Sequence, residues 1–98
     1  MAYRVVKSQA AEQDMLSILD YLVDTLSAIS AARNFITLLN ACYKRLCKNP
    51  RMYPICREEA LADKGFRCAH VMRYIVFYTI DEESNVVKVH RIVYGAME

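Results

Sequence analysis

The spacing of apolar residues changes period once along this 98-residue chain, and that change constrains the fold more than any short motif. Ala11, Met15, Ile18, Leu19, Leu22 and Leu26 are separated by 4, 3, 1, 3 and 4 positions, which marks one face of an amphipathic helix. A second set, Ala28, Ala32, Phe35, Leu39, Cys42 and Leu46, repeats the pattern until Pro50, which cannot continue a helix interior. Only a few small residues separate the two stripes, so the helices are expected to lie as antiparallel neighbours. From Phe66 the period is two. Residues 66–71 and 74–80 read as strands, 81–85 as a polar hairpin loop and 86–94 as the return strand. Ahead of the helices, residues 3–7 form a short strand, with Ser8 as N-cap and Glu12 and Asp14 early in the first helix. Residues 50–65 read as loop with a turn of helix. The expectation is an α+β fold: an N-terminal strand, a helical hairpin, then a three-stranded antiparallel meander that completes a small sheet with the helices on one face.

Length and composition fit a single domain spanning 1–98, with 55% apolar and 24% charged residues. No apolar run approaches the roughly 18 residues that a membrane span needs, and "MAYRVVKSQ" has no apolar h-region, so a cytoplasmic protein without membrane contact is expected. Cys42, Cys47, Cys56 and Cys68 contain no C-x-x-C pair, and Cys68 with His70 supplies two ligands at most. Free thiols and no metal or other cofactor are expected, as suits a reducing compartment. The net charge is +2, but residues 28–57 hold Arg33, Lys44, Arg45, Lys48, Arg51 and Arg57 without one acidic residue. Such a segment attracts an acidic protein or nucleic acid, or is simply a solvated helix face.

The stretch "FRCAHVMRYIVFYTI", residues 66–80, places groups able to hold a phosphate or move a proton within a core strand. Strand alternation sets Tyr74, Val76, Tyr78 and Ile80 on one face and Ile75 and Phe77 on the other. Arg67 goes with Ala69 and Val71, while Cys68, His70 and Met72 face away. On the return strand His90 and Tyr94 share a face, with Arg91 opposite. Aromatic and β-branched residues suit a pleated surface, so packing accounts for Tyr74, Val76 and Tyr78. Arg67, Arg73 and His70 are not required by packing. Arg67 and Arg91 can also serve by pairing with carboxylates. Glu58 and Glu59 are available as carboxylate bases.

In order and spacing, "YRVVKSQAAEQDMLSILDYL", "LCKNPRMYP", "GFR", "RYIVFYTID" and the closing "VHRIVYGAME" resemble the RelE/ParE superfamily of type II toxin–antitoxin toxins, also met as plasmid-stabilisation or addiction modules. The resemblance covers nearly the whole chain. It implies a toxin neutralised by a cognate antitoxin in a hetero-oligomer. Relatives of the RelE kind cleave messenger RNA on the ribosome without a metal, and those of the ParE kind poison DNA gyrase.

Metal-free RNA cleavage requires a base for the 2′-hydroxyl, a cation for the phosphorane and an acid for the leaving oxygen. Arg67, Arg73, His90 and Tyr94 are the candidate catalytic residues; His70, Tyr78 and Arg91 join Lys44, Arg45, Lys48, Arg51 and Arg57 as candidate target- or antitoxin-binding residues. The RelE pattern would place its strand arginine near Ile75 and its C-terminal basic group near Ala96 or Met97. None of these can stabilise a phosphorane. The usual arginine of the closing motif is Met97 here, although Glu98 keeps the acid. These departures lean toward gyrase inhibition, with a RelE-like ribonuclease and an inactive antitoxin-binding relative as the alternatives.

Overall fold

The computed structural model describes residues 2–95. Strand β1 (Arg4–Lys7) leads into helix α1 (Gln9–Asp20), and a long helix α2 (Ile29–Lys48) returns. A single helical turn, α3 (Glu59–Asp63), precedes strands β2 (Arg67–Val71), β3 (Tyr74–Asp81) and β4 (Val86–Tyr94). The four strands form one sheet in the order β1-β4-β3-β2. The meander is antiparallel, and β1 joins it parallel to β4. The α+β expectation holds. Among the described residues no helix is long and apolar enough to cross a membrane.

Both apolar stripes form the helices they predict, with one local departure. Ser8 caps α1, its hydroxyl accepting the Ala11 N–H at 3.0 Å, as a serine N-cap should. After Asp20, however, residues Tyr21–Thr25 widen into a π-turn, closed by Leu26 N–H donating to the Tyr21 carbonyl at 3.2 Å. Ser27 then adopts a left-handed conformation (φ 51°), which ends the helix. The extra residue in the turn rotates Leu26 away from the core, leaving it 52% exposed.

Alternation splits the apolar residues of the sheet between two faces. Leu22, Phe35, Leu39 and Leu46 pack onto Val76, Tyr78, Val87 and Val89 on the helix-covered face. Cys56, Cys68 and Ile75 form a smaller cluster with Leu61, Phe66, Phe77 and Val93 on the other. Phe35 and Tyr74 meet edge to face at 5.2 Å, joining α2 to β3.

Tyr78 lies fully buried and donates to the Pro50 carbonyl at 2.6 Å, fastening the loop after α2 to the sheet. Tyr78→Phe would leave that carbonyl without its phenolic partner and should cost about 1–3 kcal/mol in a urea titration.

Simple alternation along β4 fails at a bulge. Tyr78 pairs with Val89 but Phe77 pairs with Arg91, so His90 has no partner of its own. His90 and Arg91 therefore lie toward the same, helix-free face. Ile92 and Tyr94 return to the helix side, where Tyr94 meets the Tyr74 ring at 5.9 Å. The expected pairing of His90 with Tyr94 is thus corrected.

The bulge also marks where β1 stops and α1 takes over the edge of β4. The Ser8 hydroxyl donates to the His90 carbonyl at 2.8 Å. Asp14 accepts the Ile92 N–H at 2.9 Å and both a 2.7 Å and a 3.0 Å bond from Arg91. Burial raises the Asp14 carboxyl, but the Arg91 bond, the Ile92 N–H and the Arg91 charge outweigh it, and the net shift is downward. The unfolded chain, with a carboxyl near the usual value of about 3.9, binds that proton at higher pH. The stabilisation is therefore complete above about pH 5 and is lost as the pH falls through the lowered folded value. Asp14→Asn should lower the urea midpoint clearly at pH 7 and much less at pH 3.

Candidate functional site

Between the helical hairpin and the end of the sheet lies an open groove of about 860 Å³. Ile18, Tyr21, Leu22 and Leu26 line the helix side, and Met72, Tyr74 and Tyr94 the sheet side. The π-turn presents Tyr21 (49% exposed) and Leu26 to this groove. Met72 (φ 57°) sits in the left-handed turn between β2 and β3 and so belongs to the groove wall, not to an outward face of β2. Arg73 follows at the rim, and among the described residues none that lines the groove is acidic.

Arg73 and Tyr94 also border a shallow hollow that includes His70 and Gly95. The Gly95 N–H donates to the Arg73 carbonyl at 2.7 Å, which ties the end of β4 to the β2–β3 turn. A Cβ at Gly95 would lie 2.9 Å from Ile75 Cγ1 and 3.1 Å from that carbonyl, so the close approach needs glycine. His70, Arg73 and Tyr94 are three sequence-flagged residues that border one hollow.

The other candidates are held in separate internal contacts. Arg67 donates to the carbonyls of Tyr53 (2.7 Å) and Arg51 (3.4 Å), so its guanidinium clamps the loop that Tyr78 also holds. Tyr78 has no exposed surface and is not a partner-binding residue; burial pushes its phenol up to about 12. His90 is hydrogen bonded to Thr79 at 2.8 Å and lies tilted against the Phe66 ring, with centroids 4.8 Å apart. Burial and nearby Lys88 lower its pKa, favouring a neutral imidazole. Arg91 is held by Asp14.

The basic segment is likewise divided. Arg45 donates to the Tyr53 hydroxyl at 2.9 Å, and Arg51 forms an ion pair with Glu82. Lys44 and Lys48 stay exposed on the last turns of α2, where positive charge also suits the helix dipole. Arg57 and Glu58 border a small apolar hollow on the helix-free face with Leu61, Ile75, Phe77 and Val93. Glu59 opens α3, on an exposed position.

One expectation about the cysteines is overturned. Cys56 and Cys68 form a disulfide, their Cα atoms 5.4 Å apart, while Cys42 and Cys47 are free. An isolated bridge between Ile55 and Arg67 brings the two segments together, which the sequence spacing did not announce. The positions Ala96, Met97 and Glu98, where the closing motif departs from its relatives, lie outside the described residues.

The fold is similar to several solved toxin structures. The chromosomal ParDE toxin–antitoxin system of P. aeruginosa matches with a TM-score of 0.74 at 15% identity, covering 95% of this chain and 96% of the other. The RelBE2 toxin–antitoxin complex of Mycobacterium tuberculosis gives 0.63 at 19% identity, covering 96% and 99%. A mutant E. coli RelE toxin in the free state gives 0.64 at 16% identity, covering 100% and 88%. No curated protein sequence matches the chain. The model of the family described as the ParE toxin of the type II toxin–antitoxin system, parDE, matches residues 5–98. With that match spanning nearly its whole length, the chain belongs to the ParE family of type II toxin–antitoxin toxins.

Proposed function

We propose that this toxin acts by binding DNA gyrase, and that its antitoxin neutralises it by filling the groove beside Arg73. The observation that carries this reading is the groove itself: an apolar surface left open beside a dispersed set of acid–base groups. Arg67 is spent on loop carbonyls, His90 is held by Thr79 beside Phe66, and Tyr94 lies on the opposite face from His90. A surface of that kind suits a protein partner better than a scissile phosphate. An amphipathic antitoxin helix would bury its apolar side against Tyr21, Leu26 and Met72 and place an acid on Arg73. The toxin and antitoxin would then form a hetero-oligomer.

A second reading has its own support. His70, Arg73 and Tyr94 do share one hollow, and an arginine with a histidine could hold and protonate a phosphodiester there. On that reading the chain is a metal-free ribosome-dependent messenger RNA endoribonuclease, and this trio carries the chemistry in place of Arg67 and His90. Brief induction in bacteria separates the two. Gyrase inhibition predicts relaxed or broken plasmid DNA with intact messages. New 5′ ends within translated messages, lost on Arg73→Ala, would establish the ribonuclease instead. Normal growth with neither change would leave an inactive, antitoxin-binding relative.

A further inference from the structure

We propose that the Cys56–Cys68 pair is a redox latch that holds α3 over the sheet face opposite the helical hairpin, closed by small disulfides and opened by thiol reductants. The bond closes a ring from residue 56 to residue 68, and α3 lies inside that ring. The two flanks of the preceding loop are anchored very differently. Residues 50–54 are fixed by the Tyr78 hydroxyl on Pro50, by Arg67 on the Tyr53 carbonyl, and by the Cys68 N–H on the Pro54 carbonyl at 3.1 Å. Among the described residues, 57–65 have no comparable anchors. No residue of α3 is buried, and Leu61 is only partly covered against Ile75 and Phe77. The hydrogen bonds of the helical turn run to its own neighbours, from Leu61 N–H to Glu58 and from Phe66 N–H to Leu61. The start of this segment is tied to β2 by the disulfide and by the Ile55–Arg67 bridge, with its Cys56 N–H bond to the Phe66 carbonyl and Cys68 N–H bond to the Pro54 carbonyl. None of these ties reaches α3 itself.

Local stability follows the number of buried contacts and anchored hydrogen bonds, so α3 is the segment that a broken bond would release. Leu61 would then lift from the hollow floored by Ile75, Phe77 and Val93. The sheet core on the other face does not depend on the bond, since its contacts lie on the helix-covered side. Cys42 is buried in that core and Cys47 lies on α2, so neither is placed to substitute in the ring.

The exchange balances with glutathione disulfide as oxidant. The Cys56 thiolate attacks one sulfur of the oxidant, forming a mixed disulfide and releasing one glutathione thiolate. The Cys68 thiolate then attacks Cys56 Sγ, forming the intramolecular bond and releasing the second. Two electrons pass from the protein dithiol to the oxidant, and the two protons lost by the cysteines end on the released glutathione thiols. Both cysteines are nearly covered, at 5% and 3% exposure, so opening of the 57–65 segment gates the reaction in either direction.

Hydrogen exchange by mass spectrometry on the whole protein tests the latch, in glutathione disulfide and in dithiothreitol, with free thiols counted in each. The expectation is two free thiols when oxidised and four when reduced. Residues 57–65 should exchange at least about tenfold faster when reduced, with β3 and β4 unchanged. Cys56→Ser should show the fast pattern in both buffers, and Cys47→Ser should behave as the unaltered protein does. Four free thiols in both buffers would overturn the proposal. So would equal protection of 57–65 in both, or loss of protection throughout the sheet on reduction, which would make the bond a global structural tie.

Discussion

Phe35→Ala is expected to cost about 3–5 kcal/mol. The ring is fully buried on α2, meets Tyr74 edge to face, and sits where the helical hairpin crosses β3. Removing it takes away both the transfer free energy of a whole aromatic side chain and the contacts that the surrounding Leu39 and Val76 cannot rebuild by collapse. Domains of this size are stable by only about 5–15 kcal/mol, so the variant should be marginal at 37 °C. A melting midpoint lowered by at least about 12 °C is the expected readout, since each kcal/mol moves it by roughly 4–8 °C. Phe35→Leu should recover more than half of the loss. An unchanged midpoint would mean that the hairpin does not rest on the sheet through this residue.

Leu26→Glu should have the opposite profile, with little effect on folding and a large effect on antitoxin binding. Leu26 is about half exposed at the end of the π-turn and is absent from the packed core, so a carboxylate there can remain in water. Once an antitoxin segment fills the groove, the same carboxylate is buried against apolar surface, and an acid meant for Arg73 is repelled. A central position in a binding groove commonly carries about 2–4 kcal/mol. At about 1.4 kcal/mol per tenfold, calorimetry with the antitoxin should give affinity at least about thirtyfold weaker. Unchanged affinity, with the melting temperature also unchanged, would remove the groove from the antitoxin interface.

Most of the fold is legible because it follows from period and punctuation. The stripes from Ala11 and Ala28, the cap at Ser8, the stop before Pro50 and the change of period at Phe66 all act within a few residues of where they are written. The misses have a different origin. Leu22 and Leu26 keep a helical spacing of four, so nothing in the stripe reveals that a π-turn intervenes and turns Leu26 outward. The bulge at His90 carries neither glycine nor proline, and simple alternation therefore assigns His90 and Arg91 to opposite faces. Asp14 and Arg91 are 77 positions apart, and only the assembled edge of β4 makes them partners. The disulfide likewise depends on the bridge between Ile55 and Arg67.

The candidate site is only partly visible in the sequence for the same physical reason. Residue type identifies Arg67, Arg73, His70, His90 and Tyr94 as able to bind or move protons, yet type does not reveal which are already occupied. Arg67 and Arg91 prove to be structural clamps, and His90 is half-buried, bonded to Thr79 beside Phe66. Arg73 and His70 are set beside Tyr94 because the start of β3 pairs with the end of β4 and the Gly95 N–H bonds the Arg73 carbonyl in the β2–β3 turn. The groove combines residues that read as core, such as Leu26, with two flagged for function, Arg73 and Tyr94. Its existence is a product of the turn geometry at residues 21–27.

Gyrase binding without RNA cleavage is the proposed action of this toxin. Its most direct test adds the purified chain to an ATP-driven gyrase supercoiling reaction and, in parallel, to a purified translation mixture whose messages are mapped for new 5′ ends. The expected result is loss of supercoiling, or cleaved DNA trapped on gyrase, with every message intact and activity restored by the antitoxin. Undisturbed supercoiling together with messages cut during translation would contradict the account and assign the chemistry to His70, Arg73 and Tyr94.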